Sequence, residues 1–404
     1  MDDDLAEAGG IPPDDFTDAI ERIVEVADYP LLIPNELATR LDQIATDFIV
    51  ERELLDELVA ALVVGHVVLQ GPPGTGKSSL ARAISQAMNV SLNSATAHEN
   101  WTTFDVVGRL DLELDQNGTE HTVPLDGVFP RAVIACANSI STHFDEPTWP
   151  QATWLAIDEL NRAPIDRAFG ELFSVLGTDE SPDIELGYRP VGDRRMRLPA
   201  RFRIIGTINT FDRQYVQTMS QAVRRRFSFV TINPPAAPAE GVQPAIDPQS
   251  AEPAMREIVA SLERAATRVG TRAHAGAPVD QAAWDDFISA RSGPITSLFD
   301  LIWRVRYAKS IDPEPHLPLG TAQVIDVLEL FFTKELLASG HSDGVGGVHS
   351  MDWACSIKLA PLFESDSVEL DKLQDFSARL SSPFDKQTRA RLDEIVSAGG
   401  GFVG

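Results

Sequence analysis

The segment that most constrains the fold of this chain is Val67–Met88. An apolar run, Val67-Val68-Leu69, leads into Gly71-Pro72-Pro73-Gly74-Thr75-Gly76-Lys77-Ser78, and helical spacing follows over Ser78–Met88. Strand, glycine turn and helix in that order match G-x-x-x-x-G-K-[ST], a loop whose backbone N–H groups converge on phosphate oxygens. Lys77 is expected to reach the β- and γ-phosphates. The Ser78 hydroxyl is expected to hold Mg²⁺, and Ser79 follows in the first helical turn. The N-terminus of that helix adds its own positive dipole. Only six of the 34 cationic residues are lysines, so this match does not come cheaply by chance.

Four further apolar runs have the character of buried parallel strands: Val90–Leu92, Trp154–Ile157, Phe202–Ile208 and Phe229–Ile232. Helical patterns alternate with them at Phe129–Asn138, Asp166–Leu176 and Arg213–Val223. That alternation predicts an α/β fold, a parallel sheet with helices on both faces. Residues 51–232 are assigned to this nucleotide-binding core. Residues 1–50 form an acidic N-terminal segment with helical spacing at Phe16–Ala27 and Glu36–Val50. Residues 233–253 contain six prolines and are expected to be a linker. Residues 254–404 carry helical patterns at Ala254–Arg268, Ile295–Ala308 and Thr321–Leu337, and are expected to form a mainly helical lid domain. Trp284, Trp303 and Trp353 are assigned to its core.

Two of the strands end in chemistry. Trp154-Leu155-Ala156-Ile157 delivers Asp158 and Glu159 to the sheet edge, where ligands bind in such folds. Asp158 is expected to hold Mg²⁺ together with Ser78, and Glu159 to polarise the attacking water. Ile204-Ile205-Gly206-Thr207-Ile208 ends at Asn209, whose amide is placed to bond the γ-phosphate or that water. Before the last strand, Arg224-Arg225-Arg226-Phe227 sets three guanidinium groups together, suited to a γ-phosphate on a neighbouring subunit.

Composition removes several function classes. The net charge is −26 over 404 residues, a surface that repels a phosphate backbone, so direct nucleic-acid binding by a lone subunit is not expected. Two sources of this charge are open, a basic partner and adaptation to high salt, of which the halophilic reading is preferred. No run approaches the roughly 18 apolar residues of a membrane span. Met1-Asp2-Asp3-Asp4 has the wrong charge for a secretory leader, so a cytoplasmic location is expected. Cys136 and Cys355 belong to no cluster, and the eight histidines show no ligand spacing. His341 and His349 flank a glycine-rich stretch, Ser342–Gly347, expected to be a turn. No carboxylate–lysine pattern of a nuclease stands out.

These four elements in this order resemble an AAA+ module of the dynein-related/MoxR branch. Within the branch the closest likeness is to the McrB-type motor subunit of modified-cytosine restriction systems. It is carried by Ile157-Asp158-Glu159-Leu160-Asn161-Arg162-Ala163 with Phe169-Gly170-Glu171-Leu172, by Gly206-Thr207-Ile208-Asn209-Thr210-Phe211-Asp212-Arg213, and by Arg224-Arg225-Arg226-Phe227. Phe104-Asp105-Val106-Val107-Gly108 and Asp126-Gly127-Val128-Phe129 resemble a signature of the whole branch. The resemblance implies Mg²⁺ and ATP, or GTP, as cofactors and a hexameric homo-oligomeric ring. It implies Asn209 as the sensor 1 residue, and Arg225 and Arg226, ahead of Arg224, as arginine fingers. It also implies a separate protein partner, a nuclease or a metal-binding-domain protein. Three departures accompany it. Residues 1–50 stand where McrB-type motors carry a DNA-reading domain. Phe211 interrupts the usual Asn-Thr-Ala-Asp string. Gln323, in Leu319-Gly320-Thr321-Ala322-Gln323, occupies the place of the sensor 2 arginine.

Three functions are compatible with these residues. One is a motor that remodels a protein or protein–nucleic acid complex, and a second is the motor subunit of a defence system with a separate nuclease. The third, a non-hydrolysing scaffold, is opposed by the presence together of Lys77, Asp158, Glu159 and Asn209.

Overall fold

Val67, Val68 and Leu69 are wholly buried, as a strand covered by helices on both faces must be. In the computed structural model this run is the middle of β1 (His66–Gly71). The structure describes residues 13–114, 120–177, 183–189, 194–210, 219–272, 278, 280–309, 311–338, 346–364 and 368–399. The chain divides into two units. One is Met1–Gly71 with Lys77–Ile232; the other is Pro72–Gly76 with Asn233–Gly404.

The first unit is built on a five-stranded parallel sheet of β1, β2 (Ser91–Thr96), β5 (Thr153–Asp158), β8 (Ile204–Asn209) and β9 (Phe227–Thr231), in the order β2-β5-β8-β1-β9. All pairings are parallel, so every strand's carboxyl end lies on one edge. The register sets Gly71 beside Asn209 and Asp158 beside Thr96. Helices α1 (Pro13–Val26), α2 (Leu37–Phe48) and α3 (Arg52–Val64) precede β1, and α4 (Lys77–Ala87) follows it. Phe16, Ile23, Leu41 and Ile44 share one core with Val68, Trp154 and Ile205. The amphipathic N-terminal helices therefore pack on the same core as the sheet, their acidic faces outward.

Two antiparallel hairpins lie outside the expected strands: β3 (Gly108–Leu114) with β4 (Glu120–Asp126), and β6 (Asp183–Glu185) with β7 (Arg195–Arg197). The first escapes a search for buried runs because Leu110, Leu112 and Leu114 are exposed. Its base explains the Asp105 and Asp126 signatures. Thr102 and Asp105 form a reciprocal capping box on α5 (Thr103–Val106). Asp126 forms a buried ion pair with Arg189 and accepts the Tyr188 hydroxyl at 2.5 Å. α6 (Val128–Asp145) follows β4.

The helix expected over Asp166–Leu176 is two short pieces, α7 (Ile165–Ala168) and a 3₁₀ turn at Gly170–Ser174. Gly170, which opens the second piece, disfavours a continuous helix, while Phe169 and Leu172 are still buried. Of the helix expected over Arg213–Val223, residues 213–218 lie outside the described residues. α8 (Gln221–Arg226) begins behind Ser220, whose side chain accepts the Val223 N–H.

Within the second unit the described residues hold no strand. Residues 233–252 hold no helix or strand, and the last residue of the expected linker, Pro253, already opens a helix. Among the described residues seven α-helices follow: α9 (Pro253–Arg272), α10 (Gln281–Ser289), α11 (Ser292–Arg306), α12 (Thr321–Ala338), α13 (Gly346–Lys358), α14 (Leu370–Arg379) and α15 (Gln387–Gly399). Ile258, Leu262, Ile302, Phe331, Phe332 and Met351 are buried among them. Trp284 and Trp303 are buried as expected, while Trp353 is half-buried under the Lys334 ammonium, 4.4 Å from its ring. The stretch 341–345, including His341, lies outside the described residues, and α13 begins at Gly346. No helix among the described residues is long and apolar enough to cross a membrane.

Candidate functional site

The carboxyl edge of the sheet gathers the residues singled out in the sequence. Gly71 ends β1 with φ +156°, and a β-carbon there would overlap the Ile232 carbonyl group. Only glycine fits. Gly74 and Gly76 have φ of +73° and +80°, the left-handed region that glycine enters without strain. Thr75 folds its hydroxyl back to the Pro72 carbonyl at 3.0 Å. Pro72 and Pro73 are half-buried in the same turn.

Lys77 and Ser78 open α4 immediately afterwards, and Ser79 follows them on the exposed side. Lys77 is buried, and its Nζ donates to the Gly71 carbonyl at 3.0 Å. Burial pushes its pKa down to about 8, against the opposing pull of Asp158 and Glu159. A charge held under such desolvation gains from an incoming phosphate.

Ser78 Oγ donates to Asp158 Oδ1 at 2.6 Å, joining the ends of α4 and β5. Thr207, two residues before Asn209 on β8, donates to the same oxygen at 3.0 Å and accepts the Glu159 N–H at 3.0 Å. Sequence reasoning missed Thr207. The signal available was its position on the same strand face as Asn209, since side chains alternate along a strand. Glu159 adopts a left-handed backbone, φ 55° and ψ 41°, so the two adjacent carboxylates diverge. Its carboxylate meets Arg162 Nε at 2.9 Å. Asn161 is 3% exposed, and its Oδ1 accepts the Asn209 N–H at 3.4 Å. Residues 160–162, quoted in the sequence only as a likeness, thus hold the ends of two site strands.

Two hard oxygen donors, Ser78 and Asp158, face each other, and no cluster of three His, Cys, Asp or Glu exists among the described residues. That donor set fits Mg²⁺, which takes one or two protein oxygens and completes its shell with phosphate and water.

The three arginines separate. Arg226 donates Nε to the Phe173 carbonyl at 3.0 Å and Nη1 to the Ala222 carbonyl at 3.2 Å. Arg224 and Arg225 are exposed at the end of α8, and their guanidinium groups form no ion pair or hydrogen bond among the described residues.

Fold and site together define a P-loop nucleotide-binding protein with two carboxylates, Asp158 and Glu159, at the end of β5, the strand beyond β8 from β1. Residues 66–227 match the family described as AAA domain (dynein-related subfamily). The likeness of this segment to an AAA domain supports an AAA+ ATPase; that family generally hydrolyses nucleotides and commonly forms oligomeric rings. No curated protein matches the chain.

Proposed function

We propose that this chain is an AAA+ motor that hydrolyses Mg²⁺–ATP, with GTP the alternative base, to remodel a partner protein or protein–nucleic acid complex. The observation that carries this is the cluster of Ser78, Asp158, Thr207 and the Glu159 N–H, joined by hydrogen bonds of 2.6–3.0 Å, with Lys77 held on the Gly71 carbonyl at the end of β1. Lys77 and the loop N–H groups bind the phosphates. Ser78 and Asp158 would hold the metal, which would neutralise phosphate charge when bound. Glu159 orients water, and Asn209 positions it. Glu159 leaves Arg162 to do so.

Arg224 and Arg225 serve as the fingers offered to a neighbouring copy. Arg226 braces α8 against Phe173, a change from the pair expected from resemblance. The reading includes a homo-oligomeric ring, a hexamer by resemblance. A defence motor with a separate nuclease partner is the second reading. Its support is the sequence likeness at Phe169–Leu172 and at the arginines; Phe169 and Leu172 are core residues here, so the arginines carry more of it.

The test is turnover of ATP and of GTP by the wild-type chain and by Lys77→Ala, alone and with the product of the adjacent gene. Mg²⁺-dependent turnover that Lys77→Ala abolishes is expected. Nucleotide binding that survives Lys77→Ala at undiminished affinity would overturn the loop's assignment.

A further inference from the structure

The unit that contains Pro72–Gly76 and Asn233–Gly404 includes a contact that the glycine motif does not require. The Ala322 N–H donates to the Gly74 carbonyl at 3.0 Å. Gly320 abuts the same peptide, so that a β-carbon on it would overlap Gly74 C and O and Thr75 N. The Gln323 amide covers Gly74 from the side: its Oε1 accepts the Gly320 N–H at 3.1 Å, and any side chain on Gly74 would overlap it. Three successive features of Gly320–Gln323 thus grip one peptide of the loop.

That peptide is the one whose N–H belongs to Thr75. A trans peptide points its C=O and N–H in opposite directions. Holding the Gly74 oxygen toward Ala322 therefore turns the Thr75 N–H the other way, away from the clasp. The grip itself is anchored. Thr321, the first residue of α12, donates its hydroxyl to Glu257 Oε1 at 2.8 Å. Glu257 is wholly buried and accepts two Arg306 nitrogens at 2.6 and 3.0 Å. A buried ion pair is a poor source of stability but fixes geometry well, because moving either charge leaves the other uncompensated.

The geometry points to Gly320–Gln323 as a clasp that sets the Gly74–Thr75 peptide for phosphate, with Thr321, Glu257 and Arg306 as positioning residues behind it. Gln323 thus has a task that needs no charge: it packs on the loop through a neutral amide. This inference rests on the loop binding nucleotide as proposed above.

Gly320→Ala is the sharpest probe. Its φ lies outside the left-handed region, so alanine costs nothing in backbone strain, and the nearest atoms to the new methyl belong to Gly74 and Thr75. Binding of a fluorescent ATP analogue with Mg²⁺ to the full chain is measured together with steady-state turnover. Overpacking of this kind should raise Kd by about tenfold or more, while kcat at saturating nucleotide falls less than about threefold. Thr321→Val should also weaken binding, and Thr321→Ser, which keeps the hydroxyl, should restore it. Wild-type affinity in Gly320→Ala, or equal losses in Thr321→Val and Thr321→Ser, overturns the clasp. A wild-type chain that binds no nucleotide would instead overturn the loop assignment on which the clasp depends.

Discussion

Two carboxylates adjacent in sequence do different work because the left-handed backbone of Glu159 turns them apart. Asp158 is committed to Ser78 and Thr207, whereas Glu159 meets only a partly exposed arginine. Glu159→Gln should therefore bind nucleotide within about threefold of wild type and hydrolyse it at least about 10²-fold more slowly. Equal losses in binding and turnover would mean that Glu159 holds the metal or the fold instead. Lys77 gives a pH signature. Burial has lowered its pKa to about 8 in the free protein, and a bound phosphate would raise it again. Nucleotide binding must then take up a proton above that value, so affinity is full below about pH 8 and is lost as pH rises through it. Folding stability carries the opposite sign. Between about 8 and the ordinary lysine value of 10.5 the unfolded chain holds more protons at this lysine, so its contribution to stability grows with pH over that window. Titration calorimetry across pH 7–10 in two buffers of different ionisation enthalpy reads the proton uptake directly. Affinity that strengthens above pH 8 would remove Lys77 from the phosphates.

The elements that repeat a period were legible in the sequence, and those that exchange burial for function were not. β1, β5 and β8 are continuous apolar runs because both faces are covered, and the loop and carboxylates at their ends followed from that placement. The β3–β4 hairpin puts leucines in solvent, and so was invisible to any search for a core. Thr207 and Asn161 were hidden for another reason: their partners are distant in sequence and only the sheet brings them together. The same holds for Asp126, whose signature read as family likeness and is in fact one half of a buried pair. Asp126 and Arg189 side chains are 1% and 2% exposed, and the guanidinium also lies 3.5 Å over the Phe16 ring, tying the base of the hairpin to α1. Asp126→Asn should accordingly destabilise the fold by about 3–5 kcal/mol, since it leaves a buried arginine uncompensated. Urea denaturation measures it; a loss below about 1 kcal/mol would show that water or another carboxylate replaces the partner.

For the whole molecule the decisive quantities are the exposed arginines and a net charge of −26. Arg224 and Arg225 end α8 in solvent, while Arg226 is held by carbonyl oxygens of its own subunit. Helix C-termini favour cations, so the three arginines do stabilise α8, but only by about 0.3–1 kcal/mol each when exposed. That leaves two guanidinium groups available to a neighbour's nucleotide, and such groups contribute about 10³–10⁵ in rate where they act in trans. Specific activity of the wild-type chain should thus rise with protein concentration. Self-repulsion between subunits of this charge is screened over roughly 10 Å at 0.1 M salt and 3 Å at 1 M, so molar salt should favour assembly. Mixing decides between trans and cis action. Lys77→Ala subunits keep their arginines, and Arg224→Ala/Arg225→Ala subunits keep their loop, so shared interfaces should recover part of the activity that neither variant shows alone. Arg226→Ala should behave differently, losing thermal stability through Phe173 and gaining little from the same mixing. Activity per subunit that is independent of concentration, with a mixture that stays inactive, would place the arginines in a cis or purely structural role and take the ring out of the mechanism.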